Sequence, residues 1–235
     1  MIILGMETSG RIGSLALFRD GRVLEERFLP ELSQRHAQSL VLEIQALLRS
    51  WQVAPANLGA VAVSVGPGGF TGLRVGVTCA KTLAYAIGAS LVAVDTFQAV
   101  AENFPLEPRI AVVADAQRRG VMLGTFERTP TGRMERQADY TLIPKQDLPA
   151  KIGPQTLLAG WGVDAVISHF GKNQEIPGLR LAPLAKRTPR ASIIARLGAQ
   201  RLYRGLQDDP MILEPHYAQR SAAEEQWDQR AIPPK

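Results

Sequence analysis

The run Gly66-Pro67-Gly68-Gly69-Phe70-Thr71-Gly72 follows the β-branched stretch Val61–Val65 and precedes an apolar segment, Leu73–Ile87. A strand, a glycine loop and a helix in that order can present backbone N–H groups to an anion such as phosphate. The run lacks the Gly-Lys-Ser/Thr ending of a P-loop, and it does not match the spacing of the dinucleotide fingerprint. A tight structural turn is therefore the plainer reading, with glycines supplying positive φ and close packing. Other reactive side chains are scattered. Ser14, Ser33 and Ser64 stand in no Gly-x-Ser-x-Gly elbow, and Cys79 on an apolar helix reads as core rather than nucleophile. His169 and His216 lie far from His36 and have no ligand-like neighbours, so no metal site is expected.

The elements that must position these residues follow from periodicity. Ile2–Met6 reads as a buried strand ending in Glu7-Thr8-Ser9, and Ser14–Phe18 and Arg22–Phe28 flank an Asp20-Gly21 hairpin turn. Pro30 and Ser33 mark a break and an N-cap for a helix running to about Ser50. Strands are expected at Val61–Val65 and Leu91–Val94, with helices at Leu73–Ile87 and after Asp95. Residues 1–105 thus read β, β, β, α, β, α, β, α, a mixed sheet with helices against it. Pro105–Pro108 marks a boundary, after which the pattern restarts with strands at Ile110–Ala114, Val121–Glu127, Met134–Tyr140 and Leu157–Ala159 and helices from Asp164 and Ala191. That restart suggests a distant internal duplication, with a first domain at 1–105, a second at 106–210 and a polar, proline-containing tail at 211–235.

Composition narrows the class. With 46% hydrophobic and 21% charged residues among 235, the chain can bury a core, and it contains no apolar run long enough to span a bilayer. The opening Met1–Gly5 runs straight into Glu7 and lacks the form of a signal peptide, and the single Cys79 permits no intrachain disulfide. Both points lead to the expectation of a cytoplasmic protein. Residues 1–105 carry eight basic and eight acidic side chains, so the net charge of +5 belongs to the remainder. That is compatible with RNA nearby, but no run of Lys or Arg is dense enough to mark a site.

The helix faces point to association. On the first helix Leu40, Val41, Ile44, Leu47, Leu48 and Trp51 share one face, while Leu42 and Ala46 lie opposite, with Arg35, Ser39 and Arg49 around them. The second helix is apolar over most of its circumference, with a narrow polar stripe at Arg74, Thr78, Lys81 and Tyr85. It needs a second cover besides its own sheet, from the same chain or from a partner.

The string Gly66–Gly76, with Leu73-Arg74-Val75-Gly76 completing it, resembles the signature of the TsaB (YeaZ) family, Gly-Pro-Gly-Ser-Phe-Thr-Gly-Leu-Arg-Ile-Gly. Met6-Glu7-Thr8-Ser9 resembles the family's opening, Leu158-Ala159-Gly160-Trp161-Gly162 a later glycine turn, and Pro215-His216-Tyr217 its closing Pro-x-Tyr. The resemblance implies a two-domain actin/hexokinase/Hsp70-like fold, with ribonuclease-H-like halves. It implies a subunit without catalysis of its own, needed for threonylcarbamoyl transfer to N6 of adenosine beside the anticodon of tRNA. The implied partners are a TsaD-like catalytic subunit, a TsaE-like ATPase, and a second copy of the chain when alone; tRNA would be met through the complex. Partner contact would fall on Arg35, Ser39, Leu42, Ala46, Gly76, Ala80, Leu83 and Ala84. Two departures from the superfamily's phosphate motifs imply no cofactor, leaving Glu7, Thr8 and Ser9 as remnants of a phosphate site. Glu7 stands where catalytic relatives carry Asp, and Asp115-Ala116-Gln117 stands where Asp-x-Gly is expected. Leu40 replaces the second histidine of TsaD's metal pair, four residues after His36. The alternative is an ATPase or small-molecule kinase of the same superfamily.

Overall fold

The computed structural model describes residues 1–29, 36–171 and 179–217. The expected Pro30 break, the Ser33 cap and Arg35 lie outside them. Two sheets organise the chain. The first joins β1 (Ile2–Glu7), β2 (Ser14–Arg19), β3 (Arg22–Phe28), β4 (Leu58–Ser64) and β5 (Ser90–Val94) in the order β3-β2-β1-β4-β5. β1 and β2 run antiparallel, while β1, β4 and β5 run parallel. Asp20 and Gly21 both take positive φ, 50° and 85°, which gives the β2–β3 hairpin the turn sense that matches strand twist.

The second sheet repeats this wiring. β6 (Arg109–Asp115), β7 (Val121–Arg128), β8 (Met134–Arg136), β10 (Leu157–Ala159) and β11 (Arg180–Leu181) lie in the order β11-β10-β6-β7-β8. A short β9 (Thr141–Ile143) pairs with the other end of β7. The expected Met134–Tyr140 strand therefore stops at Arg136, and a separate strand begins at Thr141.

Alternation along the parallel strands sends side chains to two faces. Leu4, Met6, Val61, Val63 and Leu91 join α1 (His36–Ser50) and α2 (Phe70–Ile87) in one cluster. Ile3, Ala60, Ala62, Val92 and Val94 face α6 (Ala191–Leu202) on the other side. In α1, Leu40, Ile44, Leu47 and Leu48 fall at helical spacing and are buried. Fully buried leucines of this kind each contribute about 2 kcal/mol of transfer free energy. Val41 and Trp51, expected beside them, are exposed, and the Trp51 indole donates to Glu25 at 2.8 Å. α2 ends at Gly88, whose φ of 69° forms a left-handed cap.

The second sheet divides its side chains in the same way. Ile110, Val112 and Ala114 meet Phe97, Val100 and Ala101 of α3 (Thr96–Ala101). Ala111 and Val113 meet Leu148 of α4 (Leu148–Lys151) and Val163 and Val166 of α5 (Val163–Phe170). So the helix after the last strand of each half covers the opposite half's sheet. α3, read from the sequence within the first domain, thus packs mainly on the second core, and α6, read within the second, packs on the first, because each sheet needs both apolar faces covered. The segment after α6 also returns to the first half. Asp208 N–H donates to Leu91 O at 2.8 Å, and Ala93 N–H donates to the Asp208 carboxylate at 2.7 Å, closing the β5 edge. Residues 211–217, the described part of the polar, proline-containing tail, lie against α2 and the signature loop. No helix among the described residues is long and apolar enough to cross a membrane.

Candidate functional site

The signature begins earlier in the helix than its sequence suggests. Phe70, Thr71 and Gly72 form the first turn of α2, with Gly69 as the residue before it. The Gly69 N–H donates to Ser9 O at 2.8 Å, and the Thr8 hydroxyl donates to Gly72 O at 2.8 Å. A Cβ on Gly68 would strike Ser9, one on Gly72 would overlap Thr8 O, and one on Gly76 would overlap the Thr8 hydroxyl oxygen. These glycines therefore let the Thr8-Ser9 turn lie directly on the start of α2. Gly66, at φ 113°, is held from both sides: its N–H donates to the Thr96 hydroxyl at 3.1 Å, and its carbonyl accepts the Thr96 N–H at 2.9 Å. Pro67 is buried beside it. The chain's own Thr8-Ser9 backbone lies against the loop, which agrees with the reading of the glycines as a tight structural turn.

Glu7, at the end of β1, is completely buried. One carboxylate oxygen accepts from the Ser9 hydroxyl at 2.5 Å, the Ser9 N–H at 2.6 Å and the Gly10 N–H at 3.3 Å. The other oxygen and the buried Ser64 hydroxyl have no hydrogen bond among the described residues. Burial raises the Glu7 pKa; hydrogen bonds from Ser9 and Gly10 act in the opposite direction. Glu7, Thr8 and Ser9 are thus together, as expected, but they are turned inward. At the equivalent end of β6, Asp115 is exposed, accepts the Gln117 N–H at 2.9 Å and has Lys145 Nζ at 3.6 Å. Gly160 and Gly162 repeat the close approach in the second half, where added Cβ atoms would strike the backbone at Val113 and Ala114. Among the described residues no group of three His, Cys, Asp or Glu side chains could hold a metal.

Arg74 joins the signature to Tyr217. Its Nε donates to the Tyr217 hydroxyl at 3.0 Å, and its guanidinium lies 4.1 Å from the Phe70 ring centre. The Phe70 and Tyr217 rings are 4.8 Å apart. Lys81 Nζ donates to Leu213 O at 2.8 Å, and the His216 N–H donates to Val65 O at 2.6 Å. The closing Pro-x-Tyr thus lies against the signature, a pairing that the sequence could not show across 143 residues.

A large concavity lies between α1 and α2. It measures about 620 Å³ and is lined by Val41, Ile44, Gln45 and Leu48 from α1, Pro55 after it, and Arg74, Val75, Thr78, Cys79, Thr82, Leu83 and Ala86 from α2. Of the expected contact residues, Leu83 lines this groove. Gly76, Ala80 and Ala84 are corrected: they are buried on the inner side of α2, Gly76 against Thr8 and the two alanines in the first core. Their small size serves close helix–sheet packing. Ser39, Leu42 and Ala46 are exposed but outside the groove's lining. Cys79, expected in the core, is half-buried at the groove, and burial raises its thiol pKa. Val75, Thr78, Thr82 and Ala86 were missed; subtracting the inward alanine–glycine stripe from the apolar circumference would have found them.

A second buried cluster joins the halves. Asp95 caps α3 by accepting the Gln98 N–H at 2.9 Å, and its other oxygen accepts from the Tyr140 hydroxyl. Burial raises the pKa of Asp95, and burial together with the Asp95 charge raises that of Tyr140. Phe97 packs on Tyr140 and Trp161 with ring centres 5.0 and 5.6 Å apart.

The sequence model of the family described as "TsaD: tRNA N6-adenosine threonylcarbamoyltransferase" matches residues 25–142. A Bacillus subtilis protein named tRNA threonylcarbamoyladenosine biosynthesis protein TsaB is 28% identical over 97% of this chain and 98% of its own length. A tRNA N6-adenosine threonylcarbamoyltransferase from Thermomicrobium roseum is 39% identical over 100 residues, which are 36% of this chain and 27% of that protein. The solved structure of YeaZ from Pseudomonas aeruginosa superposes with a TM-score of 0.74 at 24% identity, over 92% of this chain and 99% of that one. That superposition shows that the chain has the fold of YeaZ, two mixed sheets flanked by helices. The transferase family's model matches residues 25–142, whereas the match to TsaB covers 97% of the chain; the chain belongs to the TsaD-related family, as a member of its TsaB (YeaZ) group.

Proposed function

We propose that this chain is a non-catalytic subunit in the biosynthesis of threonylcarbamoyladenosine on tRNA, and that it binds and activates a TsaD-like subunit through the α1–α2 groove. The end-to-end match to TsaB carries the reading. Two features of the site support a role without chemistry of its own. The Glu7 carboxylate is sealed inside and held by Ser9, so it is poorly placed to organise a metal-bound phosphate. The start of α2 is covered by the Thr8-Ser9 turn. The groove supports the partner role, since apolar area left open on two long helices favours burial against another protein. Activation by such a subunit requires preferential binding to the partner's active conformation. A TsaE-like ATPase, tRNA reached through the complex, and self-association in the partner's absence belong to the same proposal, as does function without a bound cofactor.

Reconstitution tests it. Modified nucleoside is measured with the TsaD-like subunit, the TsaE-like ATPase, the adenylate-forming enzyme, threonine, bicarbonate, ATP and tRNA, with and without this chain. The expected result is product only when the chain is present. Equal product in both arms, or ATP turnover by the pure chain that is lost in Glu7→Ala, would support the kinase alternative.

A further inference from the structure

A cavity of about 420 Å³ opens on the second sheet where β8 gives way to β9. The strand pairing creates it. Phe126 pairs with Arg136 and Leu123 with Thr141, so three steps along β7 face five on the other side, and two residues are extra. The Gln137 N–H still donates to Thr125 O at 2.9 Å; beyond it Ala138 and Asp139 are exposed and form one wall. Leu123 and Thr125 share a face of β7, and Thr141 stands opposite Leu123. Leu123 and Ile143 make a buried floor, continuous with Leu148 and Ile152. α4 covers that core but has only four residues, so the face beyond it stays open at Thr125 and Thr141. Its last residue, Lys151, forms a further wall.

The lining offers both signs of charge over an apolar floor. Among the described residues the Thr125 and Thr141 hydroxyls have no hydrogen-bond partner, and the Lys151 ammonium has no ion pair. Asp139 has Arg136 at 3.5 Å from one oxygen and is otherwise in water, with its side chain 97% exposed. We propose that this cavity binds a free α-amino acid with an apolar side chain. Lys151 takes the carboxylate, the two threonine hydroxyls hydrogen-bond to it, Asp139 takes the ammonium, and the side chain lies on Leu123, Leu142 and Ile143. A ligand with one sign of charge suits the lining less well: an inorganic anion meets Asp139, and a simple amine meets Lys151. The site belongs to the second half, away from α1 and α2, and does not depend on the function proposed above.

Amide chemical shifts of the full-length chain, followed during titration with leucine, isoleucine, valine, methionine and phenylalanine, test the proposal. At least one of these should give saturable shifts at Thr125, Ala138 and Thr141. For that ligand, Lys151→Ala and Asp139→Asn should each weaken binding about fivefold or more, and so should loss of the ligand's amino or carboxyl group. Both side chains are exposed, so the fold survives either change. Ser168→Ala, on α5 outside the cavity, should bind as the wild type does. No saturable shift with any of the five would overturn the proposal. So would binding unchanged in Lys151→Ala and Asp139→Asn, or shifts that map away from the cavity. Modification of tRNA is scored separately, so failure of either proposal leaves the other standing.

Discussion

The two halves of the molecule share one wiring and differ in what they attach to it. Both sheets place a central strand between an antiparallel neighbour and a parallel one, and both lend their last helix to the opposite sheet. Both also press a glycine turn against the end of the central strand, Gly66–Gly72 on β1 and Gly160–Gly162 on β6. The outer helices are where they part. α1 and α2 have 15 and 18 residues and leave an apolar trough, whereas α4 and α5 have 4 and 8. The strand ends part as well, with Glu7 sealed inside and Asp115 exposed. The repeated frame thus keeps its packing rules in both halves, while the apolar trough between long outer helices belongs to the first.

If the glycine turns are packing devices in both halves, both must be equally intolerant. Gly72→Ala and Gly160→Ala should each cost about 3 kcal/mol or more, since backbone rather than a flexible side chain blocks the new methyl. Thermal unfolding of the two variants checks this. Tolerance at Gly72 alone would show that the turn leaves room over the start of α2, and would reopen the anion-binding reading.

The groove should separate the halves in association. Val75→Glu and Leu83→Glu place a charge in the trough without touching the inner stripe of α2, so they should cut binding to a TsaD-like subunit by at least tenfold. An equivalent charge on the outer side of α5, Ser168→Glu, should leave binding unchanged. Pull-down and sedimentation, read beside circular dichroism, distinguish lost association from lost fold. Ala80→Arg, by contrast, should unfold the chain, because Ala80 is fully buried.

The strand ends give a pH prediction. The folded pKa of Glu7 lies above its unfolded value, so the folded state holds more protons over that interval, and stability falls as pH rises from about 4.5 through the folded pKa. Glu7→Gln removes this slope and offers an N–H to the unpaired Ser64 hydroxyl. It should therefore stabilise by on the order of 1 kcal/mol above that window and by nothing well below it. Asp115→Asn, at an exposed position, should leave the pH profile of unfolding nearly as it was. An acid-side gain for Glu7→Gln would mean that Glu7 is held as a stabilised anion.

Much of this comparison was legible in the residues. Alternation gave most strands of both sheets, and the restart near Ile110 anticipated the repeated strand wiring. The exchange of α3 and α6 was not legible, because an amphipathic helix does not record which sheet it covers. The orientation of α2 was misread for a related reason. Small residues allow close approach to a partner or to the chain's own sheet, and only the position of Thr8 beneath Gly76 decides between them. The β8–β9 break escaped notice because Arg136 to Tyr140 has no strong turn residue.

The smallest expected effect concerns the segment Asp208–Tyr217, a strap laid across the first half. Tyr217 is partly exposed, yet it stacks on Phe70 and accepts from Arg74. An aromatic pair of this geometry is worth about 1 kcal/mol beyond its buried area, and part of that is offset by the freedom the segment regains. Tyr217→Ala should therefore lower stability by about 1 kcal/mol, and Tyr217→Phe, which keeps the ring and loses the hydroxyl, by about half as much. Hydrogen exchange sharpens the test, because it reads the His216 amide bonded to Val65 O and the Asp208 amide bonded to Leu91 O separately. Loss of protection confined to His216 would show that Tyr217 pins only the last turn of the strap to the signature. Loss at Asp208 as well would show that the strap opens as one unit and that the β5 edge depends on it. Unchanged protection at both would mean that the contact with Phe70 and Arg74 does not hold the strap.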